Sequence, residues 1–349
     1  MQAQLALAGD PTRAFAEVQH LRPATVPKLA VVIPALNEVA TIGAVIAAVP
    51  REIVGFGRVE VILVDDGSTD GTPLEAAAAG VDAIVTHARR RGLVAAFKEG
   101  MSEALRRGAS VVVHLDADGQ HDPAMIPRLI EPIVARDADL VLGVRPLASD
   151  SDGMTPVRRY GNIVGTRAIR RIVGIDVSDA TTGYRAFSRE ALMRLNVVSS
   201  YTYTLDTLIE AARKHLSVAE VEVPIRPRLA GESRMTQSVT RYIRRSGGQA
   251  LSAVLRERLV SLLMRFGVLA ALAAAASTAW FLWRYQADGI GRHLPALLAA
   301  VLSATTSVGF FVTALLASAI ESSRRLLEDA LYHIKCLELG DGRELRPSG

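Results

Sequence analysis

The sequence predicts an α/β domain with a mainly parallel sheet, followed by interfacial helices and a hairpin of two transmembrane helices. Short apolar segments alternate with helical segments between residues 29 and 143, which is typical of parallel strands joined by right-handed crossovers. Acidic or small polar residues follow several of these apolar segments. Two long apolar runs, residues 259–283 and 294–320, both exceed the roughly 20 residues that a helix needs to cross a bilayer.

Apolar runs bounded by turn residues define the strands. Predicted strands occupy residues 29–33, 59–64, 81–86, 111–115 and 139–143. Predicted helices occupy residues 41–49, 73–79 and 95–107. The last helix has the clearest period, because Phe97, Met101 and Leu105 recur every four residues. Ligands of such sheets bind at the carboxyl ends of the strands, so we expect the polar residues after these strands to share one site.

The composition of the chain excludes some classes of protein and limits the possible partners. The 349 residues allow one large or two modest domains. A single cysteine, Cys336, excludes an internal disulfide framework and a zinc site built on cysteines. The net charge is only +4, but arginines crowd residues 226–265. Such a block suits nucleic acid or an anionic membrane surface, and the apolar runs beside it favour the membrane, with no nucleic-acid partner.

The two apolar runs predict a hairpin, because only the short segment 284–293 joins them. The alternative is a pair of buried core helices, which nothing else in the chain is large and apolar enough to cover. Arginines before and after the hairpin outnumber those in its loop, so the positive-inside bias places the large N-terminal domain in the cytoplasm. The protein is therefore predicted to be an integral protein of the cell membrane.

The flanking segments complete the predicted organisation. Residues 1–27 form a flexible arm, since Asp10, Pro11 and Arg13 interrupt any signal-peptide core. Residues 28–233 form the α/β domain, and 234–258 form basic amphipathic helices on the lipid surface. Residues 259–320 form the hairpin. Residues 321–349 form a cytoplasmic helix and tail that lies on the membrane or pairs with another chain, which leaves a homo-oligomer open.

Asp116 and Asp118 carry the clearest chemical signal. They follow the fourth predicted strand in the sequence VVVHLDADGQHDP, so two carboxylates lie at the sheet edge. Carboxylates this close repel each other unless a cation or a shared proton intervenes. Mg²⁺ or Mn²⁺ held together with nucleotide phosphates satisfies this need, since no phosphate-binding P-loop or glycine-rich dinucleotide motif occurs. The alternative is a capped turn with two surface acids.

Four motifs together carry a family resemblance. They are VVIPALNE at residues 31–38, ILVDDGSTDGT at 62–72, LDADGQHDP at 115–123 and TGYRAFSRE at 182–190. In this order they resemble the family 2 glycosyltransferases, which have a GT-A (Rossmann-like) fold. The resemblance is strongest to polyprenyl-phosphate sugar transferases of the dolichol-phosphate mannose synthase type, and it covers about residues 28–235.

The resemblance implies the donor site. The implied donor-binding residues are Pro34, Ala35, Asn37, Glu38, Asp65, Asp66, Arg91, Lys98, Asp116, Ala117 and Asp118. The implied ligands of Mg²⁺ or Mn²⁺ are Asp116, Asp118 and Gln120. Residues 65–68 also fit an ordinary turn with Ser68 as a helix N-cap. Arg89 or Arg90 could bind the donor in place of Arg91. His121 suits a supporting or structural role.

The resemblance also implies the acceptor side. Arg145, Thr182, Arg185 and Arg234 are the implied contacts of the acceptor phosphate, because arginine binds phosphate through paired donors. Asp118, Arg145 and Arg185 are the implied catalytic residues. Other candidate arginines are Arg167, Arg226 and Arg228, and Asp179 either orients them or is a loop acid. No histidine–carboxylate pair is assigned as a general base.

The predicted function is therefore inverting transfer of a hexose from a nucleotide sugar to polyprenyl or dolichyl phosphate. Mannose from GDP-mannose is favoured, and glucose from UDP-glucose comes next. Another membrane acceptor, such as a glycolipid or a polysaccharide, is an alternative. Processive synthases of this superfamily carry a Gln-x-x-Arg-Trp motif, whereas Trp280 and Trp283 are the only tryptophans and both lie in the first span. A catalytically silent membrane scaffold is the other alternative, although such a protein would have lost Asp-x-Asp.

Overall fold

The computed structural model describes residues 26–145, 166, 170, 174–197, 203–226, 239–288 and 294–340. Contacts divide the chain into two compact units. The first contains the described residues of Met1–Asp152, Gly183–Arg189 and Val221–Ala230. The second contains those of Gly153–Thr182, Glu190–Glu220 and Gly231–Gly349. The predicted N-terminal arm lies outside the described residues, apart from its last two.

A seven-stranded mixed sheet is the framework of the fold. The strands are β1 (Lys28–Ala35), β2 (Arg58–Asp65), β3 (Ala83–Thr86), β4 (Val111–His114), β5 (Leu140–Val144), β6 (Arg185–Ser188) and β7 (Val218–Glu222). Their spatial order is β3-β2-β1-β4-β6-β5-β7. β1 pairs in parallel with β2 and β4, and β2 pairs in parallel with β3. β6 runs antiparallel to both of its neighbours. The predicted mainly parallel α/β architecture is confirmed.

Helices connect these strands. They are α1 (Val39–Ala47), α2 (Thr72–Ala78), α3 (Leu93–Arg106), α4 (Ile126–Val134), α5 (Arg189–Arg194) and α6 (Tyr203–Arg213), with a 3-10 turn at Pro123–Met125. The central strands are almost continuously apolar and buried, as expected for parallel strands covered on both faces. α3 lies close to them at Gly100, where a β-carbon would come within 2.3 Å of Val32.

The five predicted strands and three predicted helices are present, with shifted ends. The third strand begins at Ala83 rather than at residue 81. β6, β7 and the helices α4, α5 and α6 were not predicted. Arg185, one of the implied acceptor residues, is the first residue of β6.

Two long helices dominate the second unit, α7 (Val239–Asp288) and α8 (Leu294–Glu338). Both are long and apolar enough to cross a membrane. α7 is continuous through residues 239–258, so the described part of the predicted interfacial segment belongs to the same helix as the first span. Large apolar side chains are exposed on both helices, for example Trp283 and Leu315. That exposure argues against buried core helices.

Small residues let the two helices of the hairpin approach each other. Ser307 is buried and its hydroxyl donates to the carbonyl of Gly267 at 2.9 Å, and such contacts are typical of helix pairs in membranes. Near the end of α7, the Arg284 guanidinium lies 5.6 Å from the ring centroid of Trp280 and 5.3 Å from that of Trp283. Aromatic rings and a cation at this position suit a membrane–water interface.

Candidate active site

The candidate active site lies at the carboxyl edge of the sheet in the first unit. Ala35 is in register with Asp65, which is in turn in register with Thr86. These three strands therefore end side by side, and β4 ends at the same edge with His114 in register with Val32, three residues before the end of β1. Pro34 and Ala35 are buried in β1 itself, so they form the floor of this edge.

The loops after β1 and β2 are hydrogen-bonded to each other. The backbone N–H of Asn37 donates to Ser68 Oγ at 2.8 Å, and the Asn37 side-chain oxygen accepts the Thr69 N–H at 2.8 Å. The Glu38 N–H donates to Thr72 Oγ1 at 2.9 Å. Asn37 has a φ of +50°, a backbone conformation that asparagine adopts more readily than most residues. The predicted donor residues Asn37 and Glu38 thus lie on a braced double loop.

Asp65 is almost fully buried at the end of β2, and its Oδ1 accepts the Ser68 N–H at 3.1 Å. The turn interpretation of residues 65–68 is therefore correct for the backbone. The suggestion that Ser68 caps a helix was wrong, because α2 begins at Thr72 with Gly71 at its N-cap position.

Asp66 organises the loop that follows β3. Its Oδ1 accepts the Arg91 N–H at 2.7 Å and lies 2.8 Å from Nδ1 of His87, while its Oδ2 accepts the Gly92 N–H at 2.9 Å. Both Asp66 and His87 are buried. Three donors on one carboxylate fix the course of residues 87–92 at the sheet edge. Sequence reasoning missed His87, although its place directly after β3 was a signal.

The basic residues of this loop are on the surface. Arg89, Arg90, Arg91 and Lys98 are all exposed. Arg91 Nη1 forms an ion pair with Glu99 Oε2 at 2.9 Å, and the same glutamate oxygen lies 3.2 Å from Nε2 of His87. Asp66 therefore holds the backbone of Arg91 and Glu99 holds its side chain, which distinguishes Arg91 from Arg89 and Arg90.

The Asp-x-Asp segment begins two residues beyond β4. Asp116 is half-buried, whereas Ala117 and Asp118 are buried. Asp118 Oδ1 accepts the Gln120 N–H at 3.0 Å. The Gln120 carbonyl in turn accepts the Arg226 N–H at 2.8 Å. A short turn thus fixes the second carboxylate, and both aspartates are at the carboxyl edge of the central strands.

This donor set fits a divalent cation of the magnesium type. Among the described residues no group of three or more His, Cys, Asp or Glu side chains could hold a metal ion. Mg²⁺ rarely uses such all-protein cages, and it typically binds one or two carboxylates together with substrate phosphates and water. Asp116 and Asp118 supply hard oxygen ligands of that kind, and Gln120 lies next to them with its side chain half-buried.

Beneath the Asp-x-Asp turn, two aromatic rings are packed together. The rings of His121 and Tyr184 have centroids 5.0 Å apart, and Tyr184 Oη donates to the Asp122 carbonyl at 3.3 Å. Burial raises the pKa of Tyr184 well above its usual value, with a further contribution from the charge of Asp122. Asp122 also forms an ion pair with Arg226. His121 forms a bridge to Ile225, which suits its supporting role.

The two central arginines of the predicted acceptor site differ in exposure. Arg145 directly follows β5 and is partly exposed, whereas Arg185 is fully buried at the start of β6. Arg185 is in register with His114 of β4 and Leu142 of β5. His114 Nδ1 lies 2.9 Å from the Gly183 carbonyl. Burial, with the charge of Arg185, lowers the pKa of His114 to about 4, so its neutral ring donates to that carbonyl.

In the second unit, Asp179 and Thr181 form a turn that precedes Thr182. Asp179 is buried, and its Oδ1 accepts the Thr181 N–H at 2.9 Å and the Thr181 hydroxyl at 2.7 Å. Thr182 is buried as well. The predicted acceptor residue Arg234, together with Arg167 and Arg228, lies outside the described residues.

Comparison with known proteins agrees with this geometry. The model of the glycosyl transferase family 2 matches residues 30–195. Polyprenol monophosphomannose synthase of Mycolicibacterium smegmatis is 34% identical over 230 residues, which are 62% of this chain and 85% of that protein. The chain belongs to glycosyl transferase family 2.

Two further relatives of this glycosyltransferase have related names. Undecaprenyl-phosphate mannosyltransferase of Micrococcus luteus is 32% identical over 60% of this chain and 87% of that protein. Dolichyl-phosphate hexose transferase of Haloferax volcanii is 32% identical over 60% of this chain and 88% of that protein. The resemblance drawn from the four motifs is confirmed, and so is the GT-A type of fold.

Proposed function

We propose that this glycosyltransferase moves a hexose from a nucleotide sugar to the phosphate of a polyprenyl phosphate. The observation that carries the proposal is the Asp116–Asp118 turn at the carboxyl edge of the sheet, in a chain with two helices able to cross a membrane. Mannose from GDP-mannose is the favoured donor, because two of the relatives are named for mannosyl transfer. Glucose from UDP-glucose comes next.

The donor nucleoside binds, in this proposal, against the braced loops after β1 and β2. The backbones of Asn37 and Glu38 are held at that edge by the cross-loop hydrogen bonds, and the Asp65 carboxylate is held there by the Ser68 N–H. Because Asp66 already accepts three donors, its role is to hold the loop of residues 87–92. That loop presents Arg91, and α3 presents Lys98, as cations beside the diphosphate.

Asp116, Asp118 and Gln120 are the residues that would hold Mg²⁺ or Mn²⁺. Bound there, the cation offsets negative charge on the departing nucleoside diphosphate. The chain itself contributes a fixed Asp118, whose turn is closed by the Gln120 N–H. A carboxylate that is oriented in advance loses little conformational freedom when it binds.

The acceptor needs little activation. A phosphate monoester is already ionised at neutral pH, so one of its oxygens attacks C1 of the hexose while the bond from C1 to the nucleoside diphosphate breaks. One in-line displacement inverts the anomeric configuration. Arg145, partly exposed after β5, contacts the acceptor phosphate. The burial of Arg185 favours a supporting role for it, and Thr182 and Arg234 are the other acceptor residues that the resemblance implies.

The hairpin holds this chemistry at the membrane surface. Both of its helices would cross the bilayer, so the sheet domain lies on one side, and the arginine bias of the sequence favours the cytoplasm. A polyprenyl phosphate has its phosphate at the interface, which is where a domain held by α7 and α8 can reach it.

The proposal is tested by incubating the purified full chain with Mg²⁺ or Mn²⁺, polyprenyl phosphate and a panel of GDP- and UDP-hexoses. We expect one glycolipid to form, most rapidly from GDP-mannose, and Asp118→Asn to abolish its formation. Asp137→Asn is the matched control, since Asp137 is exposed in the loop before β5. No glycolipid from any donor, or unchanged turnover in Asp118→Asn, would contradict the assignment and favour a silent scaffold.

A further inference from the structure

The second half of α8 has two faces with different partners. Helix α8 continues without interruption past Ile320 to Glu338, about 27 Å at 1.5 Å per residue. One face of this extension packs within the second unit. Tyr332 Oη donates to Glu190 at 3.1 Å and Lys335 Nζ donates to the Met193 carbonyl at 3.2 Å. The other face carries large exposed apolar side chains.

Ion pairs secure the packed face further. Arg324 pairs with Glu210 of α6 at 3.5 Å, and Glu328 pairs with Lys214 at 3.5 Å. Glu321 lies 3.6 Å from Arg213. Glu321 and Glu328 are seven residues apart. They continue the seven-residue spacing of Ser307 and Ala314, which are buried nearer the N-terminus of the same helix. α8 therefore uses one continuous stripe for all of these intramolecular contacts.

A stripe of apolar side chains, interrupted by one serine, runs along the other side. It consists of Leu316, Ile320, Ser323, Leu327, Ala330, Ile334 and Leu337. The spacing alternates strictly between four and three residues, which is the heptad pattern of a left-handed coiled coil. All seven positions are exposed, from 50% at Ile334 to 82% at Leu337 among the large side chains. No charged residue interrupts the stripe.

We propose that this heptad stripe is the interface with a second copy of the chain, as a parallel two-stranded coiled coil. The a positions are Ile320, Leu327 and Ile334, and the d positions are Leu316, Ser323, Ala330 and Leu337. Two of the three a positions are isoleucine and two of the four d positions are leucine, and β-branched residues at a with leucine at d favour two parallel strands. Two copies inserted in one membrane have the same orientation, so their α8 helices can only pair in parallel.

The residues that flank the stripe match a parallel, in-register pair. In that arrangement a g position of one helix lies beside the e position five residues further along its partner. His333 then lies beside Glu338 of the other copy, and Leu326 lies beside Leu331. The first pair places an imidazole beside a carboxylate that can accept its N–H, and the second joins two exposed leucines. No like-charge pair arises along the interface.

A lipid surface fits the stripe less well. The uncharged run of residues 294–320 already measures about 40 Å along a helix, which exceeds a hydrocarbon core of about 30 Å. The part beyond Ile320 carries Glu321, Arg324 and Arg325, which places it in water. An uninterrupted helix that leaves the membrane cannot turn its side onto the surface, so the exposed leucines need a protein partner, and the membrane concentrates a second copy beside the first.

The test is disulfide formation between single cysteines in native membranes. Cys336 is the only native cysteine, so Cys336→Ser gives a clean background. Ala330→Cys and Leu337→Cys place a thiol at d positions, which face each other across a parallel pair. Arg325→Cys and Asp329→Cys are matched controls on the same helix turns, both exposed but outside the stripe.

We expect mild oxidant to give at least about ten times more covalent dimer, of twice the chain mass, at the d positions than at the controls. Adding Leu327→Lys and Ile334→Lys to Ala330→Cys should remove that excess, while nucleotide binding of the purified protein shows that the fold persists. Equal yields at all four positions, insensitivity to the lysine pair, or cross-linking mainly to a different protein would overturn the proposal.

Discussion

His114 provides a quantitative test of the packing between β4 and the start of β6. The residue is completely buried, and its pKa falls from 6.5 to about 4 because burial, followed by the charge of Arg185, disfavours the imidazolium. The unfolded chain therefore binds a proton near pH 6.5 that the folded chain takes up only near pH 4. Stability from the neutral ring is fully present above pH 6.5 and is lost as the pH falls towards 4.

The size of the effect follows from the two pKa values. The full difference, 6.5 minus 4, corresponds to about 3 kcal/mol at 1.36 kcal/mol per unit. Between pH 8 and pH 5 the folded state loses about 2 kcal/mol of this. For a domain of this size, that is a fall of roughly 4–8 °C in the midpoint of thermal unfolding.

The assay is thermal unfolding of the full chain in detergent at pH 8, 7, 6 and 5. His114→Gln keeps an N–H donor for the Gly183 carbonyl but cannot titrate, so its midpoint should fall less between pH 8 and pH 5 than that of the parent. His215→Asn is the control, because His215 is exposed with a φ of +51° that asparagine tolerates. If the unfolding midpoints of the parent and of His114→Gln fell equally between pH 8 and pH 5, that result would contradict a buried neutral His114.

Three further outcomes are expected. Asp66→Asn replaces one acceptor oxygen with a donor amide, so the Arg91 and Gly92 amides should exchange hydrogen at least about tenfold faster, whereas Asp137→Asn should leave them unchanged. Gly100→Ala should lower stability by about 1–3 kcal/mol through overlap with Val32 and Val64, despite a better helix propensity, and in thermal unfolding Val32→Ala should cost less in the Gly100→Ala background than on its own. His87→Phe should weaken nucleotide binding in calorimetry more than Arg89→Ala does, since His87 supports the loop from below; equal effects would count against that support.

The sequence predicted the parallel half of the sheet well because β1, β2 and β4 are continuous apolar runs with polar residues directly after them. The sequence did not predict β6, because the four-residue strand Arg185–Ser188 contains a buried arginine and a serine. Pairing with β4 and β5 on either side stabilises it as a strand. β7 was missed for the same reason, because glutamates occupy two of its five positions. Short strands of mixed polarity are stabilised by their neighbours rather than by their own pattern.

In the candidate site, too, some residues were predicted from the sequence and others were missed. Asp116 and Asp118 were identified because their spacing after a strand has a direct chemical meaning. The contribution of His87 depends on its approach to Asp66 from 21 residues away, and no local pattern encodes such a contact. The four motifs located the loops correctly, while the hydrogen bonds that hold these loops together became visible only in the folded chain.

The most direct measurement of the central claim compares acceptors that differ only in the phosphate. Purified protein, metal and the preferred nucleotide sugar are incubated with polyprenyl phosphate or with the matching polyprenol, and glycolipid and released nucleoside diphosphate are both quantified. We expect equimolar products with polyprenyl phosphate and none with polyprenol. Glycolipid formed equally well from polyprenol, or nucleoside diphosphate released without any glycolipid, would contradict transfer to a lipid phosphate.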